Sequence, residues 1–243
     1  MKIKVLVNGS AGKMGQAVVK AVSDDSDFLL VGQCDHEHDL AEEIKKSKAD
    51  VVVDFTNAEV AFKNAKIIID AKVRPVIGTT GFLPEDIKKL QDRCAELKLG
   101  CIIAPNFSLG AVLMMRHAAE IAKYFPHVEI IEMHHDGKLD SPSGTAVRSA
   151  EMMAMNREGI NPPKITKEIV PGARGATYKD ISIHSIRLPG LVAHQQIMFG
   201  GKGETLTIRH DSIDRSCFMP GVVLACKEVM KLNHLVFGLE NIL

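Results

Sequence analysis

Short apolar runs alternate along the first half of the chain with segments whose apolar residues recur every three or four positions. The runs at residues 3–7, 28–34, 51–55, 75–77 and 101–104 are rich in Val, Ile and other apolar residues, and are short enough to be strands. Helix-like stretches separate them around residues 16–22, 60–71 and 85–97, the last with Pro84 at the position that opens a helix. Strand and helix in alternation predict a parallel, doubly wound sheet. Val51-Val52-Val53 has no polar face, as expected of a strand covered by helices on both sides.

After about Asn106 the pattern changes. A helix is predicted near residues 111–124, then a strand at 128–133, a polar loop, and a helix over about 145–156. Three strand candidates follow without intervening helices, at 180–186, 191–199 and 204–210. That succession predicts a mixed or antiparallel sheet whose open face is available to cover a site or to make a subunit contact. The stretch 161–175, rich in Pro, Gly and charge, reads as a mobile loop rather than a domain boundary. The expected fold class is α/β, with a parallel-sheet domain over about 1–105 and an α+β domain over about 106–216. The closing segment 217–243, with a helix near 221–232, is a candidate to pack back on the first domain.

Composition narrows the classes. With 243 residues, 46% of them hydrophobic, the chain can fill a substantial core. Lys plus Arg and Asp plus Glu both number 30, so no net field draws a polyanion or an acidic membrane surface, and nucleic acid is not an expected partner. The five cysteines are odd in number and form no Cys-x-x-Cys pair, which argues against a disulfide framework and for reduced thiols in a cytoplasm. Lys2 and Lys4 precede an apolar stretch that Asn8-Gly9-Ser10 interrupts before it could serve as a signal peptide. No apolar run approaches membrane length.

Candidate chemistry lies in two loops. The first, Gly9-Ser10-Ala11-Gly12-Lys13-Met14-Gly15, joins a strand to a helix with the spacing Gly-x-x-Gly-x-x-Gly, a relative of the dinucleotide fingerprint. Glycine lets backbone approach a pyrophosphate, and the helix N-terminus supplies N–H groups and partial positive charge. Asp35 follows twenty residues after Gly15 at the end of the second strand, where an acid can hold a ribose hydroxyl. Asp35, Glu37 and Asp39 disfavour a 2′-phosphate while Lys13 favours one, so NADH is the expected cofactor with NADPH tolerated. Gly78-Thr79-Thr80-Gly81 and Ala104-Pro105-Asn106-Phe107 follow later strands and could line a nicotinamide, though each alone is more often an ordinary loop. For Asp54 the plain reading is a cap on the following helix.

The second loop, the fifteen residues 132–146 between a strand and a helix, holds Glu132, His134, His135, Asp136, Lys138, Asp140 and Ser143-Gly144-Thr145. On a strand, Glu132 and His134 point to one face and His135 to the other. Adjacent histidines without a nearby cysteine do not have zinc-ligand spacing, and no metal is expected. Ser143-Gly144-Thr145 opens a helix, where N–H groups and hydroxyls suit a carboxylate. A proton source beside an anion site is what hydride reduction of an unsaturated acid requires.

At these residues the chain resembles the dihydrodipicolinate (4-hydroxy-tetrahydrodipicolinate) reductase family of the diaminopimelate route to lysine. The motifs are residues 9–15, Asp54-Phe55-Thr56, Gly78-Thr79-Thr80-Gly81-Phe82, Asn106-Phe107-Ser108, the run 132–146 and Arg215, in family order over nearly the whole chain. The resemblance implies a Rossmann-like N-terminal domain, a hinge, and a C-terminal domain that binds a small dicarboxylate and builds a homotetramer through its sheet. It implies hydride transfer from NAD(P)H to C4 of the ring, with His134 as proton donor or acceptor and Lys138 as proton donor. His135, Ser143, Gly144 and Thr145 would bind substrate, with Arg215 on its second carboxylate. Gly9, Ser10, Ala11, Gly12, Lys13 and Met14, with Gly78, Thr79, Thr80, Ala104, Pro105, Asn106 and Phe107, would hold the cofactor. Two departures are visible: the stretch between Cys34 and Asp50 is short, and no basic residue directly follows Asp35, which leaves either Asp35 or His36 as the ribose contact. Another Rossmann amino-acid dehydrogenase is a rival reading, but it gives no reason for Ser143-Gly144-Thr145 beside the histidine pair. A non-catalytic sensor of NADH and a carboxylate would bind both without oxidising the cofactor.

Overall fold

Two strands buried at every position, residues 51–54 and 101–103, lie in the first of two compact units, which comprises the chain up to Leu109 together with Arg215–Leu243; Gly110–Asp214 form the second. The structure is a computed structural model that describes residues 2–125, 127–157 and 167–243. In chain order the first unit contributes β1 (Ile3–Asn8), α1 (Lys13–Asp24), β2 (Phe28–Cys34), α2 (Leu40–Ser47), β3 (Val51–Asp54), α3 (Ala58–Asp70), β4 (Arg74–Ile77), α4 (Pro84–Leu97) and β5 (Cys101–Ile103). The second holds α5 (Leu109–Ile121), β6 (His127–His134), α6 (Gly144–Ala154), β7 (Ala176–Tyr178), β8 (Ile181–Arg187), β9 (Ala193–Gly201) and β10 (Glu204–Ser212). The chain then returns to the first unit as a 3₁₀ turn (Arg215–Phe218), α7 (Met219–Glu228) and β11 (Leu235–Phe237).

The first sheet is six-stranded in the order β11-β5-β4-β3-β1-β2, and every pairing is parallel. Chain order reverses between β1 and β3, and the crevice outside the carboxyl ends of two such strands is where ligands bind in doubly wound sheets. Val51, Val52 and Val53 are wholly buried, as their lack of a polar face requires. Leu6 and Val52 pack with Ile44 of α2 and Ile68 of α3; Ile77 and Ile103 pack with Leu90 of α4 and Leu235 of β11. Each such side chain contributes about 1.5–3 kcal/mol by leaving water.

Local chemistry fixes the helix starts. Asp39 caps α2 by accepting from the N–H groups of Ala41 and Glu42, Asn57 caps α3 through Glu59, and α4 begins at Pro84. Asp54 is therefore not the cap of α3: it is buried three residues earlier, at the end of β3, and Asn57 does that work. The sequence reading also missed α2, β7 and β11. The two strands are three residues long and α2 buries only Leu40 and Ile44, so none repeats a pattern long enough to register.

The second sheet has the order β10-β9-β6-β8-β7, with β6 and β8 parallel and all other pairs antiparallel, the mixed sheet expected. One face packs Val128, Ile130, Ile183, Ile197 and Phe199 against Met114 and Ala118 of α5 and Ala150 and Met153 of α6. The other face carries Glu129, Ile131, Met133, His184, His194 and Met198, which remain partly or fully exposed. Residues 161–166 of the expected loop lie outside the described residues, and 167–175 form turns. Among the described residues no helix is long and apolar enough to cross a membrane.

α7 approaches the turn after β5 so closely that a Cβ on Gly221 would stand 2.0 Å from the Phe107 carbonyl oxygen. Gly221→Ala must push α7 outward, at a cost of about 2 kcal/mol. A urea denaturation midpoint lowered accordingly is expected; an unchanged midpoint would contradict the packing described.

Candidate active site

In the second unit the alternation of β6 places Glu132 and His134 on the same side of the strand, and the consequence is a buried carboxylate with four partners. Glu132 is 0% exposed. His134 Nδ1 lies 2.6 Å from its Oε2, and the Arg187 guanidinium, at the end of the neighbouring β8, donates to both oxygens at 2.9 and 2.8 Å. The backbone N–H of Ser143 donates to Oε1 at 3.2 Å. Burial pushes the Glu132 carboxyl up, but hydrogen bonds from His134, Arg187 and Ser185 with the Arg187 charge outweigh it and hold its pKa at about 2. One anion thus joins an imidazole on β6, a cation on β8 and the residue that caps α6.

That cap shapes the anion site. Ser143 is buried and its hydroxyl accepts from the Ala146 N–H at 3.3 Å, so α6 begins at Gly144. A Cβ on Gly144 would meet nothing within 4 Å, so the helix start is open to approach. Behind it, Gln195 of β9 donates to the Ser149 hydroxyl, which donates to the Thr145 carbonyl, each at 2.7 Å. The first turn of α6 is braced from the sheet while its N-terminal end stays accessible.

Between strand and helix, Lys138 donates to both oxygens of Asp140 at 2.7 Å, and this contact draws the Asp140 carboxyl below its usual range. Arg187 also donates to the Asp140 carbonyl at 2.8 Å, so the loop is pinned to the group that neutralises Glu132. His135 is exposed. His134, Lys138, Ser143, Gly144 and Thr145 therefore share one framework. Arg215 belongs to the first unit, where it is exposed at the start of the 3₁₀ turn. Sequence reasoning gave no role to Glu132 or Arg187. The Glu-x-His spacing on a strand was a usable signal for the first; an arginine closing a distant strand offered none for the second.

In the first unit the glycine loop has the geometry that its spacing implies. Gly9 has φ +80°, and a Cβ there would lie 2.6 Å from the Phe55 carbonyl oxygen. A Cβ on Gly15 would lie 2.0 Å from the Gly9 carbonyl oxygen. The Ala11 N–H donates to Asp35 at 2.8 Å, closing the loop against the end of β2 and lowering the Asp35 pKa, with the His36 N–H assisting. α1 starts after Gly12 with no side-chain cap, and Lys13 is exposed beside Met14 in its first turn. The loop, Asp35, His36, Phe55 and Thr56 line a groove of about 710 Å³. A backbone this close, an uncapped helix start and an acid at the far rim fit a dinucleotide.

The remaining candidate cofactor residues sit at the ends of β4 and β5. Gly78 has no room for a Cβ, which would lie 2.1 Å from the Phe55 ring; the Phe55 ring in turn packs at a tilt against that of Phe107, with centroids 5.7 Å apart. Ala104, Phe107 and Thr79 are buried, whereas Thr80 and Pro105 are exposed and Asn106, which accepts from the Ser108 N–H, is half-buried. These stretches offer a ligand mainly backbone and the exposed Thr80 and Pro105, with Ala104 and Phe107 turned inward.

The Glu132 carboxyl has a value of about 2 in the folded protein against 4.5 for the free side chain, so its contribution is complete above pH 4.5 and is lost as pH falls towards 2. The contribution is about 3 kcal/mol. Urea denaturation of the wild type across that window should lose this amount, and Glu132→Gln should remove that part of the acid dependence while destabilising the protein at neutral pH. An unaltered acid slope in the variant would contradict the assignment.

With this geometry in view, comparison with known proteins is direct. The family model described as dihydrodipicolinate reductase, N-terminus, matches residues 3–107, and that for the C-terminus matches residues 110–243. The 4-hydroxy-tetrahydrodipicolinate reductase of Coxiella burnetii (strain Dugway 5J108-111) is 52% identical over 243 residues, 100% of both chains. That of Listeria welshimeri is 49% identical over 262 residues, covering 99% of this chain and 100% of its own. Among solved structures, a dipicolinate-bound dihydrodipicolinate reductase from Paenisporosarcina sp. TG-14 superposes with a TM-score of 0.93 at 44% identity over 100% of each chain. A family model matching each part of the chain, and relatives near half identity over its whole length, establish that it belongs to the dihydrodipicolinate reductase family.

Proposed function

We propose that this chain reduces 4-hydroxy-tetrahydrodipicolinate to tetrahydrodipicolinate with a nicotinamide dinucleotide, NADH in preference to NADPH, in the diaminopimelate route to lysine. The observation that carries this reading is the Glu132 framework, which holds a proton-transferring imidazole, an ammonium and an open helix N-terminus together in one loop. Family membership supplies the substrate class, a small dicarboxylate.

Held by Gly9, Ser10, Ala11, Gly12, Lys13 and Met14 with the turns at residues 78–80 and 104–107, NADH would supply the hydride for C4. Substrate loses its 4-hydroxyl as water, and the electron pair displaced by hydride is quenched by a proton. One carboxylate sits at Ser143, Gly144 and Thr145, where the helix N-terminus favours an anion. His135 contacts the substrate from the exposed side of the loop, and Arg215 binds the second carboxylate. His134, with Nδ1 tied to Glu132, exchanges protons through Nε2; Lys138 is the second donor. Closure of the two domains about a hinge excludes water and aligns the reacting carbons.

NADH preference follows from the Asp35 carboxylate, held ionised by the Ala11 N–H at the rim where a 2′-phosphate would lie. Exposed Lys13 gives NADPH a foothold. The uncovered face of the second sheet is the surface we assign to a homotetramer, and the free thiols of all five cysteines accord with a cytoplasmic enzyme.

Cofactor oxidation by purified protein, with substrate generated by the preceding synthase from pyruvate and aspartate semialdehyde, tests the reading. Oxidation should require both synthase substrates and be more efficient with NADH. Lys138→Ala should lower kcat at least about a hundredfold, the scale for losing a positioned acid. Cofactor binding without oxidation, or an unchanged rate in the variant, would overturn it. Light scattering should give four times 26.5 kDa; a monomer would contradict the sheet-face assignment.

A further inference from the structure

Among the described residues one other carboxylate is fully buried, Asp54, and none of them gives it a cation partner. It ends β3 at the point where the strand order reverses, its register partners being Asn8 at the end of β1 and Ile77 at the end of β4. It is 0% exposed. Its Oδ2 accepts from the side-chain amides of Asn8 at 2.7 Å and Asn64 of α3 at 2.9 Å. Its Oδ1 accepts from the hydroxyls of Thr56 at 2.7 Å and Thr79 at 3.0 Å, and from the Thr56 N–H at 3.2 Å. The array is cross-braced: the Thr56 N–H also reaches the Thr79 hydroxyl at 3.0 Å, and Asn64 the Thr56 hydroxyl at 3.3 Å. All five donors are neutral.

A carboxylate out of water without a counter-charge is costly, and a sheet has no need of one at that position. Four segments are nonetheless tied to this one: the strand that leads into the glycine loop, the turn carrying Phe55, the Gly78-Thr79-Thr80 turn, and α3. Backbone bonds run alongside, from the Phe55 N–H to the Asn8 carbonyl at 3.1 Å and from the Gly78 N–H to the Asp54 carbonyl at 2.9 Å. Removing the hub frees the relative positions of the turns that line the crevice. Its charge has a second effect. An unneutralised anion one hydrogen bond beneath the Gly78-Thr79-Thr80 turn makes that edge of the sheet favourable to positive charge, and a nicotinamide ring becomes cationic when it gives up hydride.

We propose that Asp54 is the positioning residue of the dinucleotide edge, and that its cation-free charge makes that edge favour the oxidised, cationic nicotinamide over the reduced one. This rests on the dinucleotide reading above. Asp54 touches no reacting atom; it acts through Thr56, Thr79 and Asn8.

Calorimetric titration of NADH and NAD⁺ into the full-length wild type, Asp54→Asn and Thr79→Val tests the proposal, with thermal melting run in parallel. In Asp54→Asn both nucleotides should bind more weakly, and NAD⁺ should lose about tenfold more affinity than NADH because the charge has gone. In Thr79→Val, where a brace is lost but the charge stays, both should weaken together and their ratio stay at the wild-type value. Equal losses for the two nucleotides in Asp54→Asn would reduce Asp54 to a structural residue and overturn the electrostatic claim. Wild-type affinities in Asp54→Asn would overturn both claims. If Asp54→Asn does not fold, Thr79→Val decides the positioning claim, and wild-type affinity there overturns it. A wild type that binds neither nucleotide would remove the dinucleotide reading itself, an outcome distinct from all of these.

Discussion

The bidentate pairing of Glu132 with Arg187 is the interaction on which the second unit's chemistry depends. A carboxylate with no exposed surface would be protonated if it stood alone. Hydrogen bonds from His134 and Arg187, with the Arg187 charge, keep it ionised, and it also accepts from the Ser143 N–H. Breaking a buried pair of this kind by removing one partner typically costs several kcal/mol, because the other charge is left without compensation. The same guanidinium holds the Asp140 carbonyl, so the loop that carries Lys138 is fixed by the group that neutralises the acid. Geometry, charge and loop order are therefore one constraint.

The first unit solves a related problem in a different way. At its sheet edge the buried acid, Asp54, is held by amides and hydroxyls alone, which leaves its charge in place. In the second unit the charge is cancelled and the hydrogen-bond acceptors are what is used. On the functional reading proposed above, these two arrangements match what each half would handle: a ring that turns cationic in one, and a dianionic substrate in the other, where further negative charge would be repulsive.

Much of this was legible in the sequence, and the failures have physical causes. The parallel sheet was legible because strands and helices alternate and Val51-Val52-Val53 has no polar face, and the glycine loop because Gly9 and Gly15 occupy positions that admit no Cβ. The mixed sheet followed from three strands in succession. By contrast, α2, β7 and β11 are too short to repeat a pattern, and their existence depends on neighbours that only the fold supplies. Asp54 was misread as a cap because its real partners, Asn8 and Thr79, are more than twenty residues away in sequence. Arg187 was missed for the same reason, lying fifty-five residues from Glu132. Local motifs name the groups that meet a ligand; the groups that hold them in place are contributed by other strands.

The most direct test of the Glu132 framework is the protonation pattern of the His134 ring, observed by nitrogen-15 correlation spectroscopy on histidine-labelled protein and assigned with a His134→Gln variant. The neutral ring should carry its proton on Nδ1, the atom facing Glu132, leaving Nε2 bare, as the proposed proton exchange requires. A neutral His134 with its proton on Nε2 would mean that Glu132 does not orient the imidazole, and the framework described here would fail.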